Sequence, residues 1–463
     1  MSTNAHGELE VGAADSYEIS DDGKTLTFVL RDDLFWSNGS PMKSQDFVAG
    51  IRFAARAENR SPQAKLLSAI RGFDEYYAGG DPKRFGVTAI NEKELRIELD
   101  EATPYFLWIL DYPVSYPRSS SSKETQLTNG PYKLIQRTPG SSVELQKNAS
   151  YWDSRNVAIE RVKYLSIVDE NAMLQRFRAG EIHVTSTVPN QYTQWIEDNL
   201  EHAYKPAQQL ATYFYFFNTE DPKLKTATVR EALYHAVDRK KLTQEVLRGG
   251  QQPAYTLVPP ETPNYSDSVA QSVRTKARDF DFAKARNAMQ KLGYNEQNPL
   301  EITILVNSGT NHRSVALFVS SEWSSKLPVR TVIQTEEFRV LLDTMKDPAK
   351  WEVIRSSWTA DYPDAISFLE IFAEGNPNNF LGYANVKFQE GIEALPKLEN
   401  KARQLKLADL ETTLLADFPI LPLYFFVKRR LVTDQVEGFH TNPLAILRSK
   451  HLSFRSETDP HHH

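Results

Sequence analysis

Asp361 stands in the run Trp358-Thr359-Ala360-Asp361-Tyr362-Pro363-Asp364, directly after the apolar stretch that opens with Val353-Ile354-Arg355-Ser356-Ser357. A carboxylate set among aromatic and small residues at the end of such a stretch loses much of its solvation unless a cation arrives to pair with it. The arrangement suits a seat for a cationic ligand group, and a peptide's α-ammonium is a natural partner. Asp361 and Asp364 can also be read as a catalytic carboxylate pair, since glycoside hydrolysis uses two such groups at a defined separation. Sequence does not supply that separation, and paired acids beside a turn are commonly solvated.

Other catalytic chemistry has no foothold in the chain. It contains no GxxxxGK[ST] phosphate loop, no GxGxxG turn, no GxSxG nucleophile elbow and no HExxH pair. Cysteine is absent, which excludes disulfides, thiolate metal sites and cysteine nucleophiles. The histidines at 6, 183, 202, 235, 312, 440 and 451 never fall three to five residues apart, so no local metal site is expected. His461 to His463 read as the remnant of a purification tag. The expectation is a non-enzymatic protein with no cofactor and no metal.

The elements that must hold Asp361 can be read from periodicity. At 463 residues and 40% apolar composition, the chain has the length of about three domain-sized units with real cores. A net charge of −6 without a strongly basic segment argues against nucleic acid as a partner. The longest apolar run, Ile420 to Val427, is eight residues and carries Pro422, far short of the roughly 20 that span a bilayer. Alternation predicts half-buried strands over Thr25 to Arg31 and Glu94 to Asp100, with a helix between them behind Ser44 as its capping residue. A polar break at Pro117 to Ser122 precedes strands over Tyr132 to Ile135 and Val143 to Lys147.

Tyr213 to Phe217 are five aromatic residues in succession, apolar on both faces as in the central strand of a covered sheet. Thr228 and Glu231 read as a capping box in front of a helix through Val229, Ala232, Leu233, Ala236 and Val237. Strand, helix and strand over Ile302 to Val306, Ser314 to Ser324 and Val329 to Gln334 suggest α/β layering. The charged turn Lys428-Arg429-Arg430 reads as a solvated face.

Several stretches, in order, resemble the family 5 extracytoplasmic solute-binding proteins of ABC importers, and among them the oligopeptide-binding branch. They include Asp22-Gly23-Lys24-Thr25-Leu26-Thr27-Phe28 with Leu30-Arg31, Trp36-Ser37-Asn38-Gly39-Ser40-Pro41 and Asp46-Phe47-Val48. Further along come Leu127-Thr128-Asn129-Gly130-Pro131-Tyr132, Lys147-Asn148 with Tyr151-Trp152-Asp153, and Arg178-Ala179-Gly180-Glu181-Ile182. Val229-Arg230-Glu231-Ala232-Leu233 with Val237-Asp238-Arg239 completes the series. Each is weak alone; their order over nearly the full chain is strong.

The resemblance implies an α/β, two-lobed periplasmic-binding-protein-like fold (type II, cluster C) with an additional inserted α+β domain. Residues 1–122 would be the inserted domain, 123–211 plus 428–460 the first lobe, and 212–427 the second. It implies that Asp361, in the Trp-x-Ala-Asp-Tyr motif, holds the peptide's α-ammonium in an interlobe cleft. Ser357 and Thr359, flanking Trp358, would offer backbone groups to an extended peptide as if adding a strand. Arg355 and His312 are candidates for the ligand carboxylate, and Asn307, Phe338, Tyr213 and Tyr215 for pocket walls. Each has a plainer reading: Trp358 and the Tyr213 aromatics as packing, His312 as a cap at a helix start, Arg355 as half of a structural ion pair.

The implied partners are short peptides and a membrane ABC permease, and the implied location is periplasmic or cell-surface. The amino end, however, lacks the basic start and apolar core of a signal peptide. It begins beyond the segment that supplies strands of the first lobe in such relatives, so the amino-terminal part of that lobe is expected to be missing. A monomer is expected, with an unpaired sheet edge that invites self-association. Two other readings stay open. One is a binding protein for a non-peptide cargo such as a metal chelate, haem or an antimicrobial peptide. The other is a shortened sensory or interaction domain that does not transport.

Overall fold

The computed structural model describes residues 1–61, 63–119, 127–266, 268–278 and 280–455. The second half of the Ser-rich break, from position 120, and the terminal histidines lie outside these. The chain forms two compact units, one of residues 1–189, 195–205 and 429–463, the other of 190–194 and 206–428.

In the first unit, β1 (Ala14–Ile19), β2 (Thr25–Leu30), β3 (Val87–Ala89) and β4 (Glu94–Glu98) form an antiparallel sheet in the order β1-β2-β4-β3. Leu26, Phe28 and Leu30 of β2 and Leu95 and Ile97 of β4 are buried, as their period of two requires. α1 (Ser44–Ala54) buries Val48, Ile51 and Ala54. Its N-cap is Lys43, not Ser44. Ser44 is the first helical residue, its hydroxyl bonded to the Asn91 carbonyl, while the Asp46 carboxylate accepts the Lys43 N–H at 3.0 Å. A second antiparallel sheet, β5 (Tyr132–Thr138), β6 (Ser142–Lys147) and β7 (Arg161–Leu165), runs in that order.

The second unit is built on a six-stranded mixed sheet. Its strands are β8 (Tyr204–Phe217), β9 (Gln252–Pro253), β10 (Leu300–Asn307), β11 (Val329–Glu336), β12 (Val353–Thr359) and β13 (Ile420–Leu431), in the order β9-β13-β8-β12-β10-β11. β8 is internal and its aromatic run explains why. Tyr213, Tyr215 and Phe217 join the core with Val229, Leu233, Val319 and Trp323. Phe216 packs on the opposite face against Phe372 and Phe380, with ring centroids 6.1 and 6.3 Å away.

α2 (Ala227–Ala236) and α3 (Thr310–Lys326) supply helices of that core. The expected capping box is not formed. Thr226 occupies the N-cap, so Thr228 is already inside α2. β10 and β11 pair in parallel along their whole length on either side of α3, which gives the α/β layering read from the sequence.

Lys428-Arg429-Arg430 is not a solvated turn. These residues continue β13, where Arg429 is buried, held below the usual guanidinium range by burial while Tyr204 and Glu170 oppose that shift.

α5 (Asn400–Ala416), which follows α4 (Phe338–Met345), carries the fully buried Glu411. Its carboxylate accepts the N–H groups of Leu257 and Val258 at 2.8 and 2.7 Å and the Tyr265 hydroxyl, fastening that loop to the helix. Burial pushes the Glu411 carboxyl up to about 7. A raised carboxyl stabilises the fold fully below its ordinary value near 4.5 and loses that contribution as pH rises through about 7. Glu411→Gln is therefore expected to flatten the fall in melting temperature between about pH 5 and about pH 8. An equally steep fall in the variant, measured by calorimetry, would reject this role.

Candidate functional site

β12 is the strand that carries the predicted motif, and its two edges differ. On one side it pairs antiparallel with β8 from Phe217↔Val353 through to Ala211↔Thr359, which sets Tyr213 opposite Ser357 and Tyr215 opposite Arg355. On the other it pairs with β10 only at Ile304↔Val353 and Leu305↔Ile354. β10 runs on to Asn307 and β12 to Thr359, so the two parallel strands part at their carboxyl ends. That is where open α/β sheets receive ligands.

Buried polar atoms gather at the parting. Asn307 Oδ1, Arg355 Nε and Trp358 Nε1 have no hydrogen-bond partner among the described residues. Buried polar groups are nearly always bonded, so each of these calls for an explanation. Arg355 is buried, with its guanidinium carbon 4.9 Å from the centre of the Tyr213 ring and Nη2 3.3 Å from Ser357 Oγ. No carboxylate pairs with it among the described residues, so the ion-pair reading of Arg355 has no partner here.

His312, in the first turn of α3, stacks on Tyr213 at 5.7 Å and its Nδ1 lies 3.1 Å from the Tyr213 hydroxyl. Gly309, at φ +143°, lets the chain turn closely over that imidazole; a Cβ there would meet His312 Cδ2 at 3.1 Å. Burial, with the Arg355 charge adding to it, holds His312 down to about 4 and therefore neutral at ordinary pH. Arg355 is the permanent cation of the pair. Tyr213 and Tyr215 are fully buried, and burial pushes Tyr213 up to about 12. They back the site from within the core. Phe338 begins α4 after β11 and is 46% exposed, outside the ring contacts of the Tyr213 cluster.

The turn after β12 separates the two aspartates. Ala360 N–H donates to the Leu210 carbonyl at 2.8 Å and Asp361 N–H to Ser367 Oγ at 2.9 Å, leaving the Asp361 side chain half-buried. Asp364 is committed elsewhere. Both of its oxygens receive Arg403 of α5 at 2.9 Å, and Oδ1 also accepts the Ile366 N–H. The catalytic-pair reading fails, because the Asp364 carboxylate is already neutralised by Arg403.

Sequence reasoning missed Arg403 and also Glu370, whose Oε1 accepts the Tyr362 hydroxyl at 2.6 Å. Burial pushes Glu370 up to about 7, with the Asp361 and Asp364 charges adding to it. Its signal was available: a single acid within Ile366-Ser367-Phe368-Leu369-Glu370-Ile371-Phe372 is as conspicuous as Asp361 among aromatics.

A model of the bacterial extracellular solute-binding proteins, family 5 Middle, matches residues 8–380. The chain belongs to this family. The periplasmic murein peptide-binding protein MppA of Escherichia coli is 30% identical over 458 residues, 96% of this chain and 84% of that protein. The oligopeptide-binding protein OppA of Bacillus subtilis is 29% identical, over 94% of this chain and 83% of that one. Among solved structures, Haemophilus influenzae OppA in complex with RPPGFSPFR matches with a TM-score of 0.85 at 26% identity, covering 98% of this chain and 92% of that one. Escherichia coli MppA matches with the same TM-score at 27% identity, covering 98% and 91%. The fold is that of the type II periplasmic binding proteins, and the family 5 proteins bind solutes without transforming them. No helix among the described residues is long and apolar enough to cross a membrane.

Proposed function

We propose that this family 5 protein captures short peptides for a membrane ABC permease, in the periplasm or at the cell surface, with Asp361 seating the peptide's amino terminus. The observation that carries this reading is the open edge of β12, which begins where β10 departs and leads directly to Asp361. An extended peptide added there gains main-chain hydrogen bonds from Ser357 to Thr359 whatever its side chains, and brings an ammonium toward the carboxylate. Trp358 Nε1, Arg355 Nε and Asn307 Oδ1 offer it further polar contacts.

Arg355 is the cation for the ligand's carboxylate, with neutral His312 bracing Tyr213 beneath it. Tyr215 stands beside Tyr213 in the inner wall, and Phe338 is the exposed apolar contact at the rim. In this reading residues 1–122 are an inserted domain, 123–211 with 428–460 a first lobe and 212–427 a second. The peptide-binding relatives support the substrate class.

Calorimetry with tri-alanine and its N-acetylated form tests the reading. The free peptide is expected to bind at least tenfold more tightly, since acetylation removes the charge that Asp361 faces. Equal binding of the two forms would refute the assignment.

A further inference from the structure

The chain after the Asp361 turn is a short helical segment, one turn of α-helix over Ile366–Leu369 followed by a tighter turn over Glu370–Phe372. Ile366, Ser367, Phe368, Leu369, Ile371 and Phe372 are buried, so Glu370 is the only residue of the segment left half-buried. Packing on both sides fixes where its carboxylate lies. Among the described residues that carboxylate accepts the hydroxyl of the buried Tyr362 at 2.6 Å and pairs with no cation. Tyr362 directly follows Asp361, and Ser367 Oγ, three residues before Glu370, holds the Asp361 N–H. Glu370 is thus tied twice to the turn that carries the ammonium seat.

The charged groups packed around this segment leave Glu370 uncompensated. Arg403 of α5 is engaged by both oxygens of Asp364. Glu411, on the same helix, is spent on the N–H groups of Leu257 and Val258. Tyr383 packs on Phe372 with ring centroids 6.2 Å apart but gives its hydroxyl to Asp417 at 2.8 Å. Burial is the strongest influence on Glu370 and disfavours its charge; the Tyr362 hydrogen bond favours it, and Asp361 and Asp364 oppose it. The carboxyl stands at about 7 as a result. An ammonium docked on Asp361 cancels one of the two opposing charges. Ionisation of Glu370 and capture of the cation then favour each other, by the same factor in both directions.

We propose that Glu370 is a positioning residue of the ammonium seat, a second carboxylate that ionises as the peptide's amino terminus docks on Asp361 and so couples capture to release of a proton. This rests on the peptide reading of that seat. The empty protein holds the Glu370 proton up to about pH 7 and the filled protein holds it less tightly, so affinity is lowest in acid and rises as pH increases through about 7. Were Glu370 only an acceptor for the Tyr362 hydroxyl, glutamine would serve as well. The pH profile separates the two roles.

Calorimetry with tri-alanine from about pH 5.5 to about pH 7.5, on wild type and on Glu370→Gln, is the test. Wild type is expected to gain about three- to tenfold in affinity relative to the variant across that range, because a change in the proton affinity of Glu370 carries over reciprocally to the peptide. The peptide's own amine, near about 8, titrates alike with both proteins and cancels in the comparison. In two buffers of different ionisation enthalpy at about pH 7, wild type should release a fraction of a proton more on binding than the variant does. Tyr362→Phe removes the hydrogen bond that favours the charged carboxyl, so it should move the rise to higher pH, and it carries the test if the glutamine variant does not fold. Tri-alanine bound with parallel pH profiles in wild type and variants, or with equal proton release, overturns the role of Glu370 and leaves the seat standing. Tri-alanine that binds neither wild type nor variant, or binds no better than its N-acetylated form, refutes the seat and this inference with it.

Discussion

Alanine in place of Asp361 is expected to weaken the binding of a free tripeptide by roughly a hundredfold or more, on the order of 3–5 kcal/mol, by leaving a desolvated ammonium without its carboxylate. The fold should tolerate the change, because the turn is held by the backbone of Ala360 and Asp361 and by Asp364, not by the Asp361 side chain alone. N-acetylated peptide, already lacking the charge, should bind wild type and variant alike, so the two perturbations are not additive. A second readout is internal to the site. The Asp361 charge helps to raise Glu370, whose carboxyl should titrate lower in the variant, observable as a carbon-13 pH titration. Unchanged affinity in calorimetry would remove Asp361 from the site.

What was legible in the sequence follows from how local each signal is. The aromatic strand, the alternating strands of the first unit and the helices of the α/β layer each carry their periodicity within one segment, and all are present. Cap positions were read one or two residues late, because Lys43 and Thr226 adopt the extended cap conformation while the better capping side chains, Ser44 and Thr228, fall inside the helices. Lys428-Arg429-Arg430 misled for a different reason. Arg429 is buried with Tyr204 and Glu170 as its electrostatic partners, more than 200 residues away in the chain, which no window of sequence displays. Asp361 was conspicuous as a charge in an apolar setting, but that Asp364 was spoken for became visible only when α5 brought Arg403 across. The parting of β10 from β12 is likewise a property of pairing, which neither strand displays in its own residues.

Arg403→Met is expected to destabilise the protein by about 3–5 kcal/mol, with no direct contact to peptide required. Arg403 and Asp364 are each about one-tenth exposed, 10% and 11%, and meet through two parallel hydrogen bonds of 2.9 Å. Removing the guanidinium leaves a buried carboxylate that can keep only the Ile366 N–H, so the cost is that of an uncompensated charge rather than of a lost surface pair. For a unit of this size the melting temperature should fall on the order of 10 °C. The double variant Arg403→Met/Asp364→Asn removes the stranded charge and should recover much of the loss. Because Asp364 accepts the N–H of Ile366, the first residue of a short helix, and Ser367 in that helix holds the Asp361 N–H, the single variant should also loosen the segment that carries Asp361. Hydrogen exchange over 360–367 then rises and peptide affinity drops together with stability. A single variant that melts like wild type would mean that packing alone holds this turn and that Arg403 is dispensable to the site.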